Sequence, residues 1–166
     1  LNYTSPSSTE RTNELALQLQ KSYGIRTAIA QADLGTTDGP ERLVHVTKKE
    51  FGQADNLQID IIINNAGVSV NRPIEKCDAE DFAFQYNVNV RGPLLLMKAA
   101  LPYLPHDRSG RIVNVSSVSS ALGYIGQSVY GGTKAALEAM TRSWSRELAE
   151  RATCNAVNPG PVATDM

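Results

Sequence analysis

The sequence predicts a doubly wound α/β domain, a parallel sheet with helices on both faces. Three observations carry this. Short runs rich in branched apolar residues recur at Ile59–Ile63, Arg111–Val115 and Thr153–Val157. Amphipathic helical stretches lie between them, and Asn, Ser, Gly and Pro follow the runs directly. Strands apolar on both faces need cover on each side, and right-handed crossovers between parallel strands supply it.

Taken in order, the chain opens on Asn2–Ser5, a strand end followed by a polar, proline-containing loop over Ser5–Thr9. Glu10–Ser22 carries Leu15, Leu19 and Tyr23 on one helical stripe; Ser8 or Thr9 can cap it and Gly24 stops it. Ile25–Ala32 is β-prone and ends at Asp33. Asp38–Phe51 is helical, with Leu43, Val44 and Val46 on its apolar side. Ile59–Ile63 stops at Asn64-Asn65-Ala66-Gly67. Asp78–Leu104 reads as a long helix or a broken pair, interrupted at Gly92-Pro93. Arg111–Val115 ends in the Ser116-Ser117 turn, and Ser128–Arg151 stacks Ala136, Met140, Trp144 and Leu148 at i+4 spacing. The last strand, Thr153–Val157, leads into Asn158-Pro159-Gly160-Pro161.

The 166 residues suit one domain, 1–166, without internal repeats. Sixteen basic against seventeen acidic residues give a net charge of −1, which offers nothing to attract nucleic acid or an anionic membrane. Cys77 and Cys154 are too few for a disulfide framework and read as packing residues. His45 and His106 lack ligand spacing, so no metal site is expected. No apolar run reaches membrane-spanning length and no signal pattern opens the chain, which makes a reducing, cytoplasmic compartment the expectation.

Ligands of an open parallel sheet bind beyond the carboxyl ends of its strands. Asn2–Ser5, Asp33-Leu34, Asn64–Gly67, Ser116-Ser117 and Asn158–Thr164 all fall there. The paired asparagines either tie neighbouring strand ends or hold a flat polar ring, and Gly67 permits close backbone approach. Tyr130 and Lys134 lie four apart, on one helix face. An ammonium near a phenol favours the phenolate, lowering a pKa that is ordinarily near 10. Ser117, thirteen residues before Tyr130, could hold a carbonyl oxygen against that phenol. Pro93 has no amide hydrogen for the Asn89 carbonyl. Either the helix bends and leaves that carbonyl free, or Gly92-Pro93 ends one helix and starts another.

Asn64-Asn65-Ala66-Gly67, Asn89, Ser117, Tyr130/Lys134 and Pro159-Gly160, in that order, strongly resemble the classical branch of the short-chain dehydrogenase/reductase family. The resemblance covers nearly the whole chain. It implies a Rossmann-type sheet and reversible hydride transfer between NAD(P) and an alcohol/carbonyl pair. Tyr130 would be the general acid in reduction and the base in oxidation, with Lys134 lowering its pKa and holding the nicotinamide ribose. Ser117, rather than Ser116, would position the substrate oxygen. The Asn89 carbonyl would hold a relay water. Asp33 with Leu34 would contact the adenine, Asn65, Ala66 and Gly67 would line the cofactor, and Pro159, Gly160, Val162 and Thr164 would cover the nicotinamide.

Family members that prefer NAD carry an acid after the second strand; Leu1–Ser5 has none. Thr4 and Ser5 offer uncharged donors to a 2′-phosphate, so NADP(H) is expected ahead of NAD(H). The family's first strand and Gly-rich turn would precede Leu1, and its substrate-binding segment would follow Met166. The chain is therefore expected to be part of a longer protein rather than a true short form. Substrates resembling those of 3-oxoacyl-carrier-protein or polyketide-type ketoreductases are implied, as is a homo-oligomer, tetramer or dimer, through Asn89–Leu101 and Ala135–Leu148. The competing reading is a non-catalytic remnant that keeps the fold for helix-mediated association.

Overall fold

The computed structural model describes residues 1–52 and 56–162. Five parallel strands alternate with helices: β1 (Asn2–Tyr3), α1 (Thr9–Tyr23), β2 (Ala30–Gln31), α2 (Gly39–Phe51), β3 (Ile61–Asn64), α3 (Ala79–Tyr86), α4 (Gly92–Ala100), β4 (Gly110–Val115), α5 (Ser119–Leu122), α6 (Ser128–Glu147) and β5 (Ala152–Val157). The strands form two parallel pieces, β1-β2 and β3-β4-β5. Among the described residues no strand pairing joins the two pieces. On β3, Ile62 and Asn64 are buried while Ile61 and Ile63 are each 62% exposed, so this strand covers one face only, unlike the doubly buried strand its sequence suggests.

Local chemistry accounts for most boundaries. Gly24 ends α1 at φ 64°, a left-handed conformation that costs glycine little. The α1 cap differs from the expectation: the Ser8 side chain makes no cap bond, because a 3₁₀ turn over Pro6–Ser8 leads into the helix and the Ser8 hydroxyl faces Ser5. Asp78 caps α3 by accepting from the Asp81 N–H at 2.7 Å. The β-prone stretch before Asp33 contracts to two paired residues, since only Ala30 and Gln31 meet β1. The helix α5 follows the Ser116-Ser117 turn, where the sequence predicts a turn alone.

At Pro93 the helical winding is kept, so one helix does not end and another start there. The chain passes the proline through a π turn that the sequence does not show. The winding continues from α3 into α4 through a five-residue π turn, Asn87–Arg91, in which the Gly92 N–H donates to the Asn87 carbonyl. A proline ring clashes with the carbonyl four residues back and cannot donate to it; one extra residue in the turn removes the clash without breaking the helix.

The apolar core joins Val44 of α2, Ile62 of β3, Leu96, Met97 and Ala100 of α4, Ile112 of β4, Trp144 of α6 and Leu148 just beyond it, closed by Ala152 and Cys154 of β5. Burial pushes the Cys154 thiol up to about 11, in keeping with a packing residue. A polar ladder crosses this core. Asn64 Nδ2 donates to Asn114 Oδ1 at 2.7 Å, Asn114 Nδ2 to Thr141 Oγ1 at 2.8 Å, and Thr141 Oγ1 to the Leu137 carbonyl at 2.8 Å. All three side chains are buried, so the ladder fixes β3, β4 and α6 in one register. Asn114→Ala in the full-length protein strands the Asn64 amide and is expected to cost about 2–3 kcal/mol. Thr141→Val, which removes one link at the ladder's end, should cost less; urea unfolding midpoints read both.

Candidate active site

The end of β3 leads into Asn65, Ala66 and Gly67, with Asn65 and Ala66 exposed and Gly67 half-buried. Asn64 is the structural tie of the pair, through its bond to Asn114, which leaves Asn65 at the open edge. A Cβ on Gly67 would lie 3.3 Å from Lys134 Nζ and 3.4 Å from Asn89 Oδ1, so a larger residue would need the lysine to give by a few tenths of an ångström.

Asn89 sits in the π turn, 1% exposed. Its Oδ1 accepts from the Val68 N–H at 2.8 Å, and its Nδ2 donates to the Val68 carbonyl at 2.8 Å and to Thr133 Oγ1 at 3.0 Å. One turn earlier, the fully buried Gln85 repeats this grip on Val70: Oε1 accepts from its N–H at 3.1 Å and Nε2 reaches its carbonyl at 3.3 Å. Two amide side chains thus hold the loop after β3 as a neighbouring strand would. The Asn89 main chain has Pro93 four residues on and so no N–H at that position to bond.

Thr133 donates to the Tyr130 carbonyl at 2.7 Å while accepting from Asn89, which joins the loop after β3 to the first turns of α6. Lys134 is buried at 4% exposure, and its Nζ donates to the Val115 carbonyl at 2.8 Å and stands 5.7 Å from the centre of the Tyr130 ring. Burial lowers the Lys134 pKa from its ordinary value. Tyr130 itself is half-buried.

Ser117 follows β4. Its Oγ accepts from the Ser119 N–H at 3.1 Å and meets Ser119 Oγ at 3.2 Å, and Ser119 Oγ donates to Gln127 Oε1 at 2.6 Å, at the start of α6. A Cβ on Gly131 would lie 2.7 Å from the Ser119 carbonyl, so this glycine lets α6 close on α5. Gly67, Asn89 and Lys134 therefore meet beside Tyr130, and Ser117 stands two residues beyond Val115, whose carbonyl accepts from Lys134.

The remaining expected residues lie on other segments. Pro159 accepts from the Val118 N–H at 3.1 Å, and Pro159, Gly160 and Val162 are exposed; Thr164 lies outside the described residues. Asp33 is exposed, with one carboxylate oxygen accepting from the Gly35 N–H at 2.8 Å, while Leu34 is buried against Gly92. Thr4 and Ser5 are exposed after β1. Ser5 Oγ lies 2.6 Å from Ser7 Oγ and 3.4 Å from Ser8 Oγ. Sequence reasoning missed the contacts that Ser7 and Ser8 make with Ser5, Gln85 with the loop after β3, and Thr133 with Asn89 and Tyr130. Thr133 had a signal: a threonine three residues after Tyr130 can return its hydroxyl to that carbonyl. Among the described residues no His/Cys/Asp/Glu group suits a metal, and no helix is long and apolar enough to cross a membrane.

Residues 3–166 match the family model for short chain dehydrogenases. Among curated relatives, an L-xylulose reductase of Aspergillus niger is 50% identical and an L-xylo-3-hexulose reductase of Hypocrea jecorina 48% identical; both align over 100% of this chain and 59% of their own length. A 3-oxoacyl-[acyl-carrier-protein] reductase of Synechocystis is 34% identical over 82% of this chain and 53% of its own. Of solved structures, a blue fluorescent protein from a metagenomic library in complex with NADPH superposes with a TM-score of 0.90 at 32% identity, covering 99% of this chain and 64% of that one. The L-sorbose reductase of Gluconobacter frateurii, complexed with NADPH and L-sorbose, superposes with a TM-score of 0.87 at 25% identity, covering 99% and 60%. The chain thus spans about three fifths of the length of the relatives it matches. It belongs to the short-chain dehydrogenase family.

Proposed function

We propose that this chain carries the reaction centre of an NADP(H)-dependent reductase acting on a small polyhydroxy ketone. The observation that carries the reading is the convergence of Gly67, Asn89 and Lys134 Nζ beside Tyr130, tied together through Thr133. NADPH, when bound, supplies the hydride. Gly67 leaves room for it against Lys134, and the exposed Asn65, Ala66, Pro159, Gly160 and Val162 line its path. Tyr130 delivers the proton to the carbonyl oxygen, Ser117 orients that oxygen, and Lys134 favours the phenolate left behind. The Asn89 carbonyl, without an i+4 donor, holds water that resupplies the proton.

The preference for NADP(H) rests on the hydroxyl cluster of Ser5, Ser7 and Ser8 after β1, which is rich in donors and carries no acid to repel a 2′-phosphate. Asp33 and the Leu34 main chain receive the adenine. A ketose is favoured over a 3-oxoacyl thioester, the substrate type that the sequence motifs first suggest. The relatives named for ketose reduction are 48–50% identical, against 34% for the acyl-carrier-protein reductase. Association of copies through α4 and the neighbouring α6 fits the exposure of Leu94 at 45% and Leu101 at 41%.

In the full-length protein, Tyr130→Phe is expected to lower kcat with L-xylulose and NADPH by about 10²–10⁴-fold. NADPH affinity, read by nucleotide fluorescence, should stay within a few-fold of the parent; retained turnover would remove Tyr130 from its assigned role. Ser5→Asp should lower the NADPH/NADH ratio of kcat/KM by about 10–100-fold, since like charges brought together cost several kcal/mol. An unchanged ratio would place the phosphate elsewhere.

A further inference from the structure

Glu138 lies one turn beyond Lys134 on α6, half-buried, and belongs to none of the motifs above. Its Oε1 accepts from Ser116 Oγ at 2.7 Å and from Asn158 Nδ2 at 2.5 Å. Ser116 immediately precedes Ser117, and Asn158 immediately precedes Pro159-Gly160. The Asn158 amide nitrogen also lies 3.2 Å from the Ser117 carbonyl and 3.2 Å from Ser120 Oγ. Ser116 Oγ reaches back to the Lys134 carbonyl at 3.3 Å. Burial would raise the Glu138 pKa, but the bonds from Ser116, Ser120 and Asn158, with Arg142 one turn further along, outweigh it and hold the carboxyl below its ordinary value. A carboxylate is a strong acceptor, and bonds to it are about twice as strong as neutral ones.

We infer that Glu138 is a positioning residue, resting on the function proposed above: its carboxylate sets the spacing between the substrate-orienting turn Ser116-Ser117 and the nicotinamide-covering loop Asn158–Gly160. Both segments leave the ends of adjacent strands, β4 and β5, and among the described residues beyond Val157 the Val118–Pro159 main-chain bond and the Asn158 side-chain bonds join them. Glu138 anchors this junction to the same helix that carries Tyr130 and Lys134. A displacement of one ångström between reacting groups can cost about 100-fold in rate, so the carboxylate acts on turnover without touching substrate.

The test is E138A, E138Q and Asn158→Ala in the full-length protein, with E138A/N158A closing a double-mutant cycle. E138A should lower kcat with L-xylulose by about 10–100-fold, leave NADPH affinity within about threefold of the parent on the same scale, and raise the isotope effect with 4-deuterated NADPH. E138Q, which keeps an acceptor oxygen in place, should recover much of the loss, and the double variant should lose no more than the worse single one. Without nucleotide or substrate, amide exchange should quicken over 116–120 and 156–162 and stay unchanged in β3. A kcat within twofold of the parent in E138A, or additive losses in the cycle, would overturn the inference. If E138A fails to fold, E138Q and Asn158→Ala decide on the same readouts. If the parent reduces no ketose, the proposed function fails, and the exchange pattern alone decides whether Glu138 holds the two segments.

Discussion

The site depends on the side-chain amide of Asn89. Both donor hydrogens of this amide are used, one to Val68 and one to Thr133, and its oxygen accepts from Val68. At 1% exposure it has no water to fall back on, so each lost partner would leave a buried polar group unsatisfied. Its position follows from Pro93 four residues later. The proline forces the wider π turn, and the extra residue in that turn rotates everything before it relative to α4. A backbone constraint at Pro93 thereby decides where the loop after β3 meets α6.

Helix α6 then acts as the ruler for the reaction edge. Thr133 reaches Asn89, Lys134 reaches the last residue of β4, Glu138 reaches Ser116 and Asn158, and Thr141 reaches Asn114. Successive positions three or four apart share a face, so a single helix can index one strand at several points along its length. Leu137, Trp144 and Leu148 supply the apolar burial that seats the helix, and the polar contacts choose its register. Hydrophobic packing alone is non-directional and would tolerate a shift that these bonds do not.

Much of this was legible in the sequence. Parallel strands, the helix periodicities, the glycine stop of α1 and the order of the motif residues all follow from patterns within a few residues of each other. The π turn was not, because the sequence shows that Pro93 removes a donor without showing how the chain absorbs the loss. Gln85 and Glu138 were also hidden. Each is an ordinary helix-surface residue by type, and its role arises from a partner far along the chain: Val70 for one, Ser116 and Asn158 for the other. The serine cluster was half-read, since Ser5 stands at a strand end while Ser7 and Ser8 join it only through the 3₁₀ turn.

The two pieces of sheet divide the labour, and the π turn is where they meet. The β1-β2 piece carries Thr4, Ser5 and Asp33; the β3-β4-β5 piece, with α6, carries Gly67, Ser117, Tyr130 and Lys134. Between them, Arg91 donates to the Gly35 carbonyl, and Gly92 passes so close to Leu34 that a Cβ would lie 2.7 Å from its carbonyl oxygen. Arg91 and Gly92 follow Asn89 by two and three residues. The position of the turn at Asp33 is therefore tied to the π turn that places the Asn89 amide and to the Gly92 that follows it. A change in the winding at Pro93 would move the Asp33 turn and the Asn89 amide together, and for that reason the proline constrains more than one hydrogen bond.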